Sequence, residues 1–114
     1  MIISTHVLDT TRGRPATGLA VTLRRRGADG DWSVVARAIT DADGRVKDLS
    51  VGQPLSAGDY RLEFATGEYF KGLGLGTTVF YPEVFVTVAA DEQDTHFHVP
   101  LLLSPFGYST YKGT

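Results

Sequence analysis

The chain holds three histidines, His6, His96 and His98, and no cysteine. Those three imidazoles are therefore the side chains best placed to trade protons near neutral pH. His96 and His98 stand two residues apart, so in a strand both point to one face. His6 lies in MIISTHVLD, where the same alternation sets it on a face with Ser4 and Leu8, opposite Ile3, Thr5 and Val7. Two chemistries suit this pattern. His6 and His98 could converge as a general acid/base pair. Alternatively His6, His96 and His98 could hold zinc, leaving one position open for water. A third possibility is three half-exposed strand histidines with no chemistry, and patterning alone leaves all three open. Arg45 follows the turn Thr40-Asp41-Ala42-Asp43-Gly44. An arginine there is either a solvated surface charge or, aimed at the histidines, a clamp for an oxygen on which negative charge develops. Ser109, Thr110 and Thr114 offer hydroxyls, but no Gly-x-Ser-x-Gly elbow accompanies them.

The elements that must carry these residues show a period of two. Leu19, Val21 and Leu23 alternate with polar neighbours, as do Tyr60, Leu62 and Phe64, then Val84, Val86 and Val88, then Phe97, Val99, Leu101 and Leu103. Turn sequences rich in Gly, Asp and Pro separate the runs. This predicts an antiparallel β-sandwich or barrel. One stretch breaks the period: TGEYFKGLG, Thr66 to Gly74, predicts one helix of about two turns, with Thr66 as N-cap, Glu68 in the first turn and Gly72, Gly74 and Gly76 limiting its length. GLGLGT lacks the long helix that a phosphate-binding loop requires after it, so a glycine-rich turn is expected. Arg24, Arg25 and Arg26 read as the solvated end of a strand, guarding a sheet edge.

The histidine face also carries Leu8, Pro100 and Leu102. A sheet apolar on both faces is normally covered on both, which predicts a subunit interface with the histidines in a semi-buried cavity. With 114 residues, one domain over 1–114 is expected. The formal net charge of −2 offers no basic field for nucleic acid. No apolar run approaches the roughly 18 residues of a membrane span. The N-terminal stretch does not read as a secretory leader, so a cytoplasmic protein is expected.

THVLDTTRGRPA, TDADGR and HFHVPLLLSPFGYSTYKGT, with GDYRLEF, GEYF and FYPEV between them in order, resemble the transthyretin-like 5-hydroxyisourate hydrolases over essentially the whole chain. The resemblance implies a transthyretin-like all-β sandwich of two four-stranded sheets with one short helix, and a homotetramer whose sites lie between dimers. It implies hydrolysis of 5-hydroxyisourate to 2-oxo-4-hydroxy-4-carboxy-5-ureidoimidazoline in urate catabolism, with no metal or other cofactor. His6, Arg45 and His98 correspond to the family's catalytic residues. Tyr111, Lys112, Gly113 and Thr114 stand where the family's closing Tyr-Arg-Gly-Ser binds substrate. Lys112 keeps arginine's charge without its planar fork, and Thr114 keeps serine's hydroxyl with a methyl added. The hormone carrier transthyretin shares the fold but lacks these histidines and this ending. A non-catalytic ligand-binding module of the same fold and the three-histidine zinc hydrolase are the alternatives.

Overall fold

A computed structural model describes residues 1–74 and 79–114. Among the described residues, nine strands, β1 (Ile2–Asp9), β2 (Arg14–Pro15), β3 (Ala20–Arg26), β4 (Trp32–Ile39), β5 (Arg45–Val46), β6 (Gly58–Phe64), β7 (Val84–Ala90), β8 (His96–Ser104) and β9 (Gly107–Thr110), accompany one helix, α1 (Thr66–Gly72). They form two facing sheets. One has the order β4-β3-β6-β7; the other runs β2-β1-β8-β9, with β5 also paired to β1. The expected four strands of this second sheet are thus five, because two short strands share the free edge of β1. β2 pairs with Leu8 and Asp9, and β5 pairs with Thr5 and His6. The pairing is antiparallel throughout except between β1 and β8, which run parallel in continuous register from Ile2↔His96 to Asp9↔Leu103.

The core follows the alternation. Ile3, Val7, Phe97, Val99, Leu101 and Leu103 face Val21, Leu23, Tyr60, Leu62, Phe64 and Val84 across the interface between the sheets, and all are buried. Each such side chain stabilises the fold by about 1.5–3 kcal/mol. Strand β4, unforeseen in the sequence, is an edge strand with alternate residues only partly covered. The three arginines, expected to guard a sheet edge, lie instead on inner strand β3. Arg24 Nε lies 2.9 Å from Glu63 Oε1, and Arg25 Nη2 donates to the Ala57 carbonyl at 3.0 Å. The guanidinium of Arg26 sits 4.6 Å over the Trp32 ring.

Helix α1 occupies two turns, but Thr66 is its first residue rather than its cap; Ala65 precedes it and supplies no side-chain hydrogen bond. The Thr66 hydroxyl instead donates to the Tyr81 carbonyl at 2.7 Å, tying the helix to the following segment. Gly74 takes the left-handed conformation, φ 63°, that lets a chain leave a helix. Gly76, and with it the end of the GLGLGT stretch, lies outside the described residues. The helix is also fastened to β1: Tyr69 Oη donates to Asp9 Oδ2 at 2.8 Å, while Asp9 Oδ1 accepts from the Thr11 and Arg12 amides at 3.1 Å. Burial, then the bond and charge of Asp9, push the Tyr69 phenol up to about 12. Tyr69→Phe leaves a buried carboxylate oxygen without its donor, a loss of about 1–3 kcal/mol. Urea denaturation should show that loss as a lower midpoint at unchanged slope. No helix among the described residues is long and apolar enough to cross a membrane.

Candidate active site

The outer face of the five-stranded sheet gathers the polar residues that the core alternation turns outward. Parallel register sets Ser4 beside His98 and His6 beside Pro100, and β5 brings Arg45 opposite His6 on the other side of β1. Arg45 reaches that position through its turn. Asp41 Oδ1 accepts from the amides of Asp43 and Arg45, both at 2.9 Å, and the Arg45 amide is the main reason the Asp41 carboxyl is held below its ordinary range. Gly44 completes the turn at φ 74°, with its carbonyl accepting from the Val7 amide at 2.8 Å. A Cβ there would strike the Val7 carbonyl oxygen, so glycine is required on two counts.

Ser4 joins the histidines. Its Oγ lies 2.7 Å from His96 Nε2 and 2.8 Å from His98 Nδ1. Ser4 is 4% exposed, His98 is half-buried and His96 is exposed. The His98 imidazole is held below its ordinary range, first by burial and then by the positive charges of Arg45, His96 and His6. Its ring therefore stays neutral at pH values where a solvated imidazole takes up a proton.

The last residues close over this ring. The Gly113 amide donates to the His98 carbonyl at 2.8 Å in an antiparallel bridge. A concavity of about 170 Å³ results, lined by Ser4, Arg45, Lys47, His96, His98 and Thr114 among others. Tyr111 and Lys112 border an adjoining concavity of about 540 Å³, which shares His98 with the first. Tyr111 is 58% exposed. Lys112 Nζ lies 3.4 Å from Asp94 Oδ2 and 5.6 Å from the centre of the Phe97 ring.

Of the residues singled out from sequence, Arg45, His98 and Thr114 thus share one concavity and Gly113 abuts it. His6 stands beside them on the same face, adjacent to Arg45 in register, without lining the hollow. The alternative zinc triad of His6, His96 and His98 is not assembled: among the described residues no three His, Asp or Glu side chains converge as a metal centre requires. Ser4 and Lys47 went unrecognised as site residues. The alternation of β1 does put Ser4 on the histidine face, and that was the available clue.

A sequence profile described as the HIUase/Transthyretin family matches residues 3–113. The chain belongs to the HIUase/Transthyretin family. Among curated members, the 5-hydroxyisourate hydrolase of Caulobacter vibrioides is 46% identical over 115 residues, spanning 98% of this chain and 97% of its own. That of Mus musculus is 41% identical, spanning 98% and 94%. Among solved structures of the family, Klebsiella pneumoniae 5-hydroxyisourate hydrolase superposes with a TM-score of 0.86 at 35% identity, covering 99% of this chain and 98% of that one. Sea bream transthyretin in complex with thyroxine superposes with a TM-score of 0.91 at 34% identity, covering 100% and 96%. Within this family the backbone alone does not separate hydrolase from transthyretin, so the side chains on the outer face must.

Proposed function

We propose that this protein is a 5-hydroxyisourate hydrolase, a cyclic amide hydrolase of urate catabolism. The observation that carries the reading is the grouping of Arg45, His98 and Thr114 in one concavity, where burial and positive neighbours lower the His98 pKa. The full-length relatives named as hydrolases, at 38–46% identity, support it. The solved hydrolase and transthyretin are equally similar in sequence, at 35% and 34%, so the outer-face side chains carry the distinction.

A neutral imidazole is a general base. His98 Nδ1 is engaged with Ser4, so Nε2 is the nitrogen free to take a proton from water as that water attacks the ring carbonyl. Arg45, whose backbone the Asp41 turn holds in place, stabilises the oxygen on which charge develops. His6, next to Arg45, completes the catalytic set. Tyr111, Lys112, Gly113 and Thr114 hold the flat substrate, the first two from the adjoining concavity. The chemistry requires no metal. The working form is a homotetramer: Leu8 and Leu102, half-buried on the same outer face, are covered further by a second subunit, narrowing the access of bulk water, while Pro100 of the expected apolar face is already buried within the chain. Sedimentation equilibrium tests that mass.

The decisive experiment follows the ultraviolet decay of 5-hydroxyisourate, generated in situ by urate oxidase, with and without this protein and after chelator treatment. Acceleration that survives the chelator supports a metal-free hydrolase. Folded protein without effect on the decay would overturn the enzyme reading in favour of a ligand-binding module.

The pH dependence follows from His98. The base must be neutral, and its folded-state pKa lies below the ordinary imidazole value of about 6.5. Activity should therefore persist as pH falls past about 6.5, with the acid limb of kcat/KM centred lower. Arg45→Gln removes a positive neighbour, so the limb should move up in pH while the maximal rate falls. An acid limb above about 6.5 in the wild type would refute His98 as the base.

A further inference from the structure

The site contains a hydrogen-bonded chain that a single histidine base does not need. Ser4 Oγ, almost fully buried, bridges His98 Nδ1 at 2.8 Å and His96 Nε2 at 2.7 Å. A serine hydroxyl has one proton to donate. Between two neutral rings it accepts from one nitrogen and donates to the other. The protonation of His98 and that of His96 are thereby linked through one oxygen.

We propose that His98, Ser4 and His96 form a proton relay, in which the exposed His96 carries the positive charge generated at the half-buried His98 during turnover. The proposal rests on the hydrolase reading and deepens it.

In the resting chain His98 carries its proton on Nδ1 and donates to Ser4 Oγ. Ser4 donates to the bare Nε2 of His96, which is protonated on Nδ1. When water attacks the ring carbonyl, the carbon–oxygen bond forms and the water's proton goes to His98 Nε2. The Nδ1 proton of His98 then passes to Ser4, and the Ser4 proton passes to His96 Nε2, leaving His98 neutral and His96 a cation. When the ring carbon–nitrogen bond breaks, His98 Nε2 gives its proton to the leaving nitrogen and both relay steps run backwards. The net change is one water consumed and one amide bond cleaved, with the relay restored. The physical advantage lies in where the charge rests. Around His98 stand Arg45 and Lys47 on and next to β5, and His6 on β1, all positive or able to become so. A second cation there is opposed by both burial and repulsion. His96 lies at the start of β8 and is open to solvent, where water screens the charge.

The test combines turnover with a readout that needs no substrate. Long-range proton–nitrogen NMR of the wild type, at a pH where both rings are neutral, should find His98 protonated on Nδ1 and His96 bare on Nε2. Ser4→Ala should lower kcat about tenfold or more with KM changed less than about twofold, and His96→Gln should do the same. Ser4→Thr, which keeps the hydroxyl, should retain kcat within about threefold of wild type. Neutral His98 protonated on Nε2, or a His96→Gln enzyme with wild-type kcat, would overturn the relay. Because His96 is exposed, His96→Gln keeps the question open to test even if Ser4→Ala does not fold. If the wild type fails to hydrolyse 5-hydroxyisourate, the hydrolase reading falls, whereas the NMR pattern still decides whether the chain of hydrogen bonds exists in the proposed sense.

Discussion

His98→Gln is expected to reduce kcat by about 10²- to 10⁴-fold, the usual contribution of a positioned general base. Glutamine has similar bulk and an amide able to bond Ser4, so the half-buried position stays filled and the hydroxyl keeps a partner. What it lacks is a nitrogen that takes up a proton near neutral pH. The thermal midpoint should therefore move little, a stability change within about 1 kcal/mol, while the ultraviolet decay of 5-hydroxyisourate returns nearly to its spontaneous rate. The contrast between the two readouts matters, since a rate loss that tracked unfolding would say nothing of the base. Retention of kcat within about tenfold would remove His98 from the centre of the mechanism and turn attention to His6.

The second large effect comes from a residue with no side chain. A Cβ built on Gly113 would lie 2.5 Å from His98 Cδ2 and 3.2 Å from both Cγ and the carbonyl oxygen of that histidine. These atoms belong to a ring and a backbone held in a paired strand, not to the loose end of a flexible side chain. In Gly113→Ala either the imidazole swings away from Ser4 and Arg45, or the last residues lift from β8 and lose the bond from the Gly113 amide to the His98 carbonyl. Both outcomes misplace a reacting group by about an ångström, which costs on the order of 100-fold in rate. Little of the core depends on this contact, so the global unfolding midpoint should stay close to that of wild type. Lys112→Ala is the natural comparison. It removes an exposed 3.4 Å pair with Asp94, of a kind that contributes little to stability, and leaves the Gly113 backbone in place. A Gly113→Ala enzyme as fast as wild type would show that the His98 ring tolerates displacement.

The closing Tyr111-Lys112-Gly113-Thr114 differs from the Tyr-Arg-Gly-Ser that the resemblance leads one to expect. The structure gives these residues different surroundings. Gly113 is tied by close packing to His98 and Thr114 lines the inner concavity, while Lys112 sits outside against Asp94 and Phe97. A lysine in place of arginine is thus accommodated where the side chain meets a single carboxylate.

Much of this protein was legible before any fold was known, because its information is local. Alternation in IISTHVLD and HFHVPLLLS settles which residues face inward and which outward, since side chains in a strand must alternate. That alone puts Ser4, His6, His96 and His98 on outer faces. The turn before Arg45 was equally plain, because its geometry depends on Asp41 and Gly44 close by. What stayed hidden is what depends on distant partners. Strand β4 escaped notice because an edge strand buries too little to show clean alternation. The position of β3 inside its sheet, which turns three arginines from an edge guard into ion-pair and ring partners, is set by β4 and β6 on either side. The start of β1 lies more than 90 residues from the histidines it meets: Ser4 and His98 are 94 apart in sequence. Only the parallel pairing of β1 with β8 sets that register, and a shift of one residue would turn Ser4 away from both imidazoles. The sequence alone determined the residue types and the faces that carry them. The tertiary structure decided which of those faces meet, because register between strands is chosen by the whole buried core and not by either strand on its own.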